Sequence, residues 1–153
     1  MRRLKTIIIY YTFGGETRKE AKRLAGELGV GTTIYEVKEA KERSVLGSLV
    51  WGCWHAMRRK ASEVKPIKVD LGSYDRIIIG APIWADYPAP AFYAIVERLP
   101  AGKEVELFFC SGGGDSSKSK KGTIELIEKK GCKVTSYRDV RTGKGIVKEK
   151  SPK

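Results

Sequence analysis

The stretch Lys5 to Leu28, KTIIIYYTFGGETRKEAKRLAGEL, leaves a folding chain little choice. Thr6 to Tyr11 is a continuous run of β-branched and aromatic residues, too short for a helix pattern, which suits a parallel strand covered on both faces. Thr12 to Thr17, TFGGET, breaks the run. From Thr17 onward Ala21, Leu24, Ala25 and Leu28 recur at three- and four-residue spacing, with Arg18, Lys19, Lys22 and Arg23 mostly on the other side, the periodicity of a helix with one buried face. A helix that starts directly after a strand turns its first N–H groups, and the positive end of its dipole, toward whatever lies over the turn, and an anion belongs there. Gly14 and Gly15 remove bulk so that backbone can close on a ligand, while Thr12 and Thr17 bring hydroxyl donors. The turn reads either as a phosphate cradle or as an ordinary strand-to-helix connection with Thr17 near the N-cap. It is not a Walker A loop, which ends in Gly-Lys-Ser/Thr, nor a G-x-G-x-x-G loop, because its two glycines are adjacent. Glu36 stands about where a ribose-binding acid would end the second strand.

The rest of the chain repeats the alternation. Thr32 to Val37 reads as the second strand. Ser44 to Lys60 carries Leu46, Leu49, Val50, Cys53, Trp54 and Met57 at helical spacing, weakened by Gly47 and Gly52. Its tryptophans read as core and its His55 as a structural histidine rather than a ligand. Ser62 to Ser73 reads as an extended crossover. Tyr74 to Ala81, YDRIIIGA, is a second buried strand, followed by PIWADYPAP from Pro82 to Pro90, a loop stiffened by three prolines that can hold Trp84 and Tyr87 in place. Trp84 either faces a ligand or caps the edge of the core. Phe92 to Leu99 reads as helix, and Glu104 to Cys110 as strand. Ser111 to Ser117, SGGGDSS, permits close backbone approach to a ligand or is simply a mobile loop. A helix from Thr123 to Lys130, stopped by Gly131, leads to a last strand, Cys132 to Tyr137. Lys118, Lys120 and Lys121 sit near that helix's start, where cations oppose the dipole; an anion compensates them or water solvates them.

Strands alternating with helices predict an α/β fold, a doubly wound sheet of five parallel strands. With 153 residues the chain suits one domain, 1–138, followed by a basic, loose tail, 139–153. Three special loops, Thr12 to Thr17, Pro82 to Pro90 and Ser111 to Asp115, all follow strands, and in open α/β sheets ligands bind at the carboxyl ends of strands. They are expected to converge on one site. No apolar run approaches the roughly 20 residues of a membrane span, and no export signal precedes the first strand, so a cytoplasmic protein is expected. Cys53, Cys110 and Cys132 form no C-x-x-C and lack histidines for zinc, so buried reduced thiols are expected and no metal site. The formal charge of +12 favours anionic ligands, acidic partners or nucleic acid. With no recognisable nucleic-acid-binding signature, a Lys/Glu-rich solvated surface is the better reading.

TFGGET resembles the flavodoxin phosphate signature T/S-x-T-G-x-T, IIIGAPIWADYPAPAF resembles the third strand and loop of that family, I-G-x-P-x-W-x-G-x-P-x-P, and LFFCSGGG resembles its fourth strand and flavin-facing loop. The resemblance spans roughly Lys5 to Tyr137. It implies a flavodoxin-like strand order of 2-1-3-4-5 and FMN as cofactor. Thr12, Phe13, Gly14, Gly15, Glu16 and Thr17 would bind the phosphate. Pro82, Ile83, Trp84, Ala85 and Asp86 would flank the isoalloxazine, and Ser111, Gly112, Gly113 and Gly114 would complete its pocket. The departures have consequences. Gly14 replaces a hydroxyl residue, deleting a phosphate contact worth about 1–3 kcal/mol. Asp86 replaces a glycine near the ring, where a carboxylate disfavours an anionic flavin. Flavodoxins that carry electrons are typically acidic, so this basic chain would meet other, acidic redox partners. The implied activity is electron transfer or a small NAD(P)H- or quinone-linked reductase; no catalytic acid, base or nucleophile set is evident. The alternative is a module of the same fold that holds no flavin and binds an acidic partner or nucleic acid.

Overall fold

The computed structural model describes residues 4–40, 54, 56–113 and 115–142. At its centre lies β1 (Thr6–Tyr10), buried at every position because it is covered on both faces. Ile7 and Ile9 point into one core, with Phe92, Ile95, Val96 and Ile127; Ile8 and Tyr10 point into another, with Ala21, Leu24 and Leu28. Strand alternation thus feeds two layers of helix, with α1 (Glu16–Leu28) on one face and α2 (Pro90–Glu97) and α3 (Ser117–Lys129) on the other.

β1 pairs in parallel with β2 (Thr32–Glu36) and β3 (Arg76–Trp84); β3 pairs with β5 (Glu104–Ser111), and β5 with β6 (Lys133–Arg141). The order β2-β1-β3-β5-β6 is the expected 2-1-3-4-5 arrangement once a short antiparallel strand, β4 (Tyr87–Pro88), is set aside. Gly80 marks the closest approach across this sheet. A Cβ there would lie 2.1 Å from Cζ of Phe108, directly opposite on β5.

Four element boundaries differ from expectation. β3 does not stop at Ala81 but continues through Trp84 and turns back into β4, pairing Ile83 with Pro88 and Trp84 with Tyr87. The expected proline-stiffened loop is therefore a tight hairpin, with Pro82 still in register opposite Cys110. α2 begins at Pro90, where a missing N–H is harmless, and Pro90 to Val96 are all buried. α3 begins at Ser117, six residues before Thr123, with buried Ser119 and Thr123 facing inward. β6 runs past Tyr137 to Arg141, which places Asp139 to Arg141 in the sheet rather than in a tail. Gly131 ends α3's connection in a left-handed conformation, φ 86. The helix expected over Ser44 to Lys60 falls mostly outside the described residues, as do Cys53, His55 and residues 143–153. Cys110 and Cys132 are buried thiols. Among the described residues no helix is long and apolar enough to cross a membrane.

Candidate functional site

Parallel pairing brings the carboxyl ends of β1, β3 and β5 to one edge of the sheet, and the segments that follow them line a single cleft. Thr12, Phe13, Gly14, Glu16, Thr17, Pro82, Ile83, Trp84, Ala85, Asp86, Ser111, Gly112 and Gly113 all contribute to its wall. Gly15 shapes the first loop without lining the cleft, and Gly114 lies outside the described residues. Asp115, the last residue of the third expected loop, lines it too, as do Cys110 and Thr142, which sequence reasoning missed.

At one end, the loop after β1 is built by local geometry. Gly15 is the N-cap of α1 with φ 98 and ψ −9. Its N–H donates to Thr12 Oγ1 at 3.0 Å and its carbonyl accepts from Lys19 N at 3.0 Å. A Cβ at Gly15 would meet nothing within 4 Å, so the backbone conformation, not space, requires glycine. No side chain caps the helix. Thr17 lies inside the first turn at 1% exposure, not at the cap, and the N–H groups around it are those a helix cannot satisfy itself. Glu16 is the acidic residue of that turn, with Lys19 Nζ 3.6 Å from its carboxylate.

Glu36 has another role than the ribose acid considered above. Arg18 grips it with Nε and Nη2, both at 2.8 Å, while Lys38 Nζ and the Tyr10 hydroxyl donate to it at 2.9 Å. The Arg18 guanidinium holds its carboxyl down to about 2. Burial, and then the bond to Glu36, push the Tyr10 hydroxyl up to about 12. The carboxylate's acceptor sites are taken up in fastening α1 to β2.

The other end is built by contacts distant in sequence. Ala85 and Asp86, the two residues of the hairpin turn, have φ 50 and 72, a left-handed conformation that favours glycine. Trp84, 1% exposed, packs edge-on against Tyr11 (ring centroids 6.2 Å) and Phe13 (5.5 Å), so its ring belongs to a small aromatic core beneath the cleft. Arg59 lies over the Tyr87 ring at 5.1 Å and donates to Thr123 Oγ1 (2.9 Å) and to the Ser119 carbonyl (3.1 Å). It fits against α3 because position 122 is glycine; a Cβ there would lie 2.6 Å from Arg59 Nη2. Ser119 Oγ in turn donates to the Asp86 carbonyl at 2.7 Å.

The third wall is pinned to β6. Ser116, 0% exposed, donates to Asp139 Oδ1 from both its N–H (3.1 Å) and its hydroxyl (2.5 Å), and the same hydroxyl bonds that of Tyr137. Asp115 accepts from the Ser117 N–H at 3.1 Å and hydroxyl at 2.8 Å, which holds its carboxyl below the usual range. Arg141 Nη2 donates to the Gly113 carbonyl, and Thr142 N to the Ser111 carbonyl. Burial pushes the Cys110 thiol up to about 11, so it is protonated at neutral pH and no nucleophile. Among the described residues no group of three or more His, Cys, Asp or Glu is placed to hold a metal ion. The cleft wall combines the uncapped start of α1 with Pro82, Ile83, Gly112 and Gly113, and its charged lining residues are the carboxylates Glu16, Asp86 and Asp115.

No protein-family model and no curated protein matches the chain. Solved structures do. A flavoprotein from Lactobacillus acidophilus NCFM, crystallised in complex with FMN, is 26% identical, with a TM-score of 0.75 over 90% of this chain and 93% of that one. The apo-form of the flavoprotein from Lactobacillus acidophilus NCFM, determined by NMR, gives 24% identity and a TM-score of 0.68 over 93% of this chain and 95% of that one. The Trp repressor binding protein from Bacillus subtilis gives 14% identity and a TM-score of 0.59 over 96% and 94%. Together with the strand order, these likenesses show that the fold is flavodoxin-like.

Proposed function

We propose that the chain is a cytoplasmic, FMN-binding redox protein that transfers electrons or works as a small flavin-dependent oxidoreductase. The observation that carries this reading is the meeting of three strand-end loops in one cleft, which joins the start of α1 to the Pro82–Ile83 and Gly112–Gly113 segments. The donors suit the group. A glycine-initiated helix with no side-chain cap, flanked by the Thr12 and Thr17 hydroxyls, fits a phosphate. Pro82, Ile83 and the glycine-rich backbone after Ser111 suit the faces and edges of a flat ring. FMN, when bound, supplies one- and two-electron chemistry, and the protein supplies position and electrostatics. In this reading the Glu16 and Thr17 N–H groups hold the phosphate, Gly15, whose own N–H is bonded to Thr12 Oγ1, shapes the turn that presents them, and the hairpin turn and the Ser111–Gly113 segment hold the ring. The relative from Lactobacillus acidophilus crystallised with FMN supports the choice of cofactor. The charge of +12 supports an acidic redox partner, whose encounter quickens as salt is lowered.

The direct test is titration of the purified protein with FMN. Quenching of flavin fluorescence and a rise in melting temperature are expected, with quenching of tryptophan emission that Trp84→Ala largely removes. Saturating FMN that changes neither flavin fluorescence nor melting temperature would refute the reading, and tight nucleic-acid binding at physiological salt by flavin-free protein would favour the flavin-less binding module.

A further inference from the structure

The hairpin turn at the cleft is a backbone that its own residues disfavour. Neither Ala85 nor Asp86 is glycine, yet both are left-handed, and such conformations persist only where their surroundings hold them. The strand register accounts for the chain on either side, Ile83 opposite Pro88 and Trp84 opposite Tyr87. The apex carbonyl, that of Asp86, is held from outside the hairpin by Ser119 Oγ at 2.7 Å. Ser119 is 2% exposed and sits in the first turn of α3. A serine there ordinarily bonds within its own helix, and the local acceptor, the Ser116 carbonyl, is present at 3.3 Å; the shorter bond nevertheless reaches across to the hairpin. The helix turn that carries Ser119 is itself fixed, because Ser116 is bonded twice to Asp139 on β6.

We propose that Ser119 is a positioning residue: its hydroxyl holds the Ala85–Asp86 turn in the geometry it presents to the cleft, and thereby sets how firmly the ring end of a flavin is gripped. The second half of this proposal rests on the FMN reading above. Through Ser119, the loop after β3 and the loop after β5 form one mechanical unit, anchored at the sheet edge.

Hydrogen exchange of the Asp86 and Tyr87 amides, followed by NMR in flavin-free protein, tests the holding role without any ligand. Ser119→Ala, and the nearly isosteric Ser119→Cys, which fills the same space with a weak donor, should each speed exchange at the turn about tenfold, the size of one lost hydrogen bond. Exchange in β1 should not change. Asp86→Gly removes half of the backbone strain, so Ser119→Ala in that background should speed exchange at the turn by less than about threefold. In titrations, Ser119→Ala should weaken FMN and riboflavin by the same factor, about fivefold or more, because the phosphate end is untouched. Turn exchange that stays at the wild-type rate in both variants would overturn the proposal. Faster exchange with unaltered riboflavin affinity would overturn its second half and leave the first. A wild-type protein that binds neither flavin would refute the FMN reading, while the exchange experiment would still decide whether Ser119 holds the turn.

Discussion

The two ends of the cleft hold left-handed backbone in place by opposite means. At the Thr12–Thr17 end the conformation is intrinsic: Gly15 adopts φ 98 without strain, open space surrounds it, and its hydrogen bonds run to Thr12 and Lys19, within four residues. At the Ala85–Asp86 end the conformation is imposed. Two residues with side chains are held left-handed by Ser119 and by the hairpin register, and Arg59 braces the neighbouring Tyr87. The first loop is expected to survive loosening of its surroundings, whereas the second depends on them. A site built this way keeps a constant anchor at one end and an end that neighbouring elements can adjust.

Substitution at Gly80 breaks the distinction most severely, because β3 supports both ends. Gly80→Val drives a side chain into the Phe108 ring and should destabilise the protein by about 3 kcal/mol or more, lowering affinity for FMN and riboflavin together; a melting curve unchanged within 1 kcal/mol would contradict the close approach. Next in size, Gly15→Val forces a β-branched residue to φ 98, and should weaken FMN about tenfold or more while leaving riboflavin within about twofold. Equal losses for the two ligands would place the phosphate elsewhere. Acid separates the ends by a different route. Glu36, whose pKa falls from 4.5 to about 2 on folding, contributes stability that is present above its unfolded value and is lost as pH drops from about 5 toward 2, on the order of 1–2 kcal/mol after screening. Glu36→Gln should flatten that stretch of the stability curve, and an unchanged slope would mean that Arg18 does not fasten α1 there. The smallest effect is a gain: Asp86→Gly relieves φ 72 and should stabilise the flavin-free protein by about 1 kcal/mol, raising its melting temperature by about 3 °C.

What could be read from the residues follows the same division. The loop after β1 and the ends of β3 and β5 were legible because glycine, proline and continuous apolar runs are local signals. The hairpin was not, since Ala85–Asp86 carries none of the Asn-Gly or Asp-Gly chemistry that usually announces such a turn; only tertiary contacts permit it. The early start of α3 escaped because its inward positions at that end are Ser119 and Thr123, not apolar side chains, and hydrophobic periodicity cannot register a face that is buried by hydrogen bonding. Likewise Asp139 and Arg141 looked like tail, although Asp139 is an acid on an edge strand bonded to buried Ser116. Glu36 was noticed for its position, but its partner Arg18 could be identified only once β2 and α1 were seen side by side.

The bond from Thr142 N to the Ser111 carbonyl, at 2.9 Å, has a consequence for how the protein comes into being. As the chain leaves a ribosome, the first wall of the cleft emerges well ahead of the wall that depends on β6, with β2, β3 and β5 between them. Parallel strands cannot zip up with near neighbours, so the nascent chain carries an apolar, partly built sheet for several seconds at ordinary rates of synthesis. A closed cleft therefore arrives late, close to the moment that β6 docks, and a chain cut before Thr142 would hold the first loop and the hairpin sequence without the third wall's bond to β6.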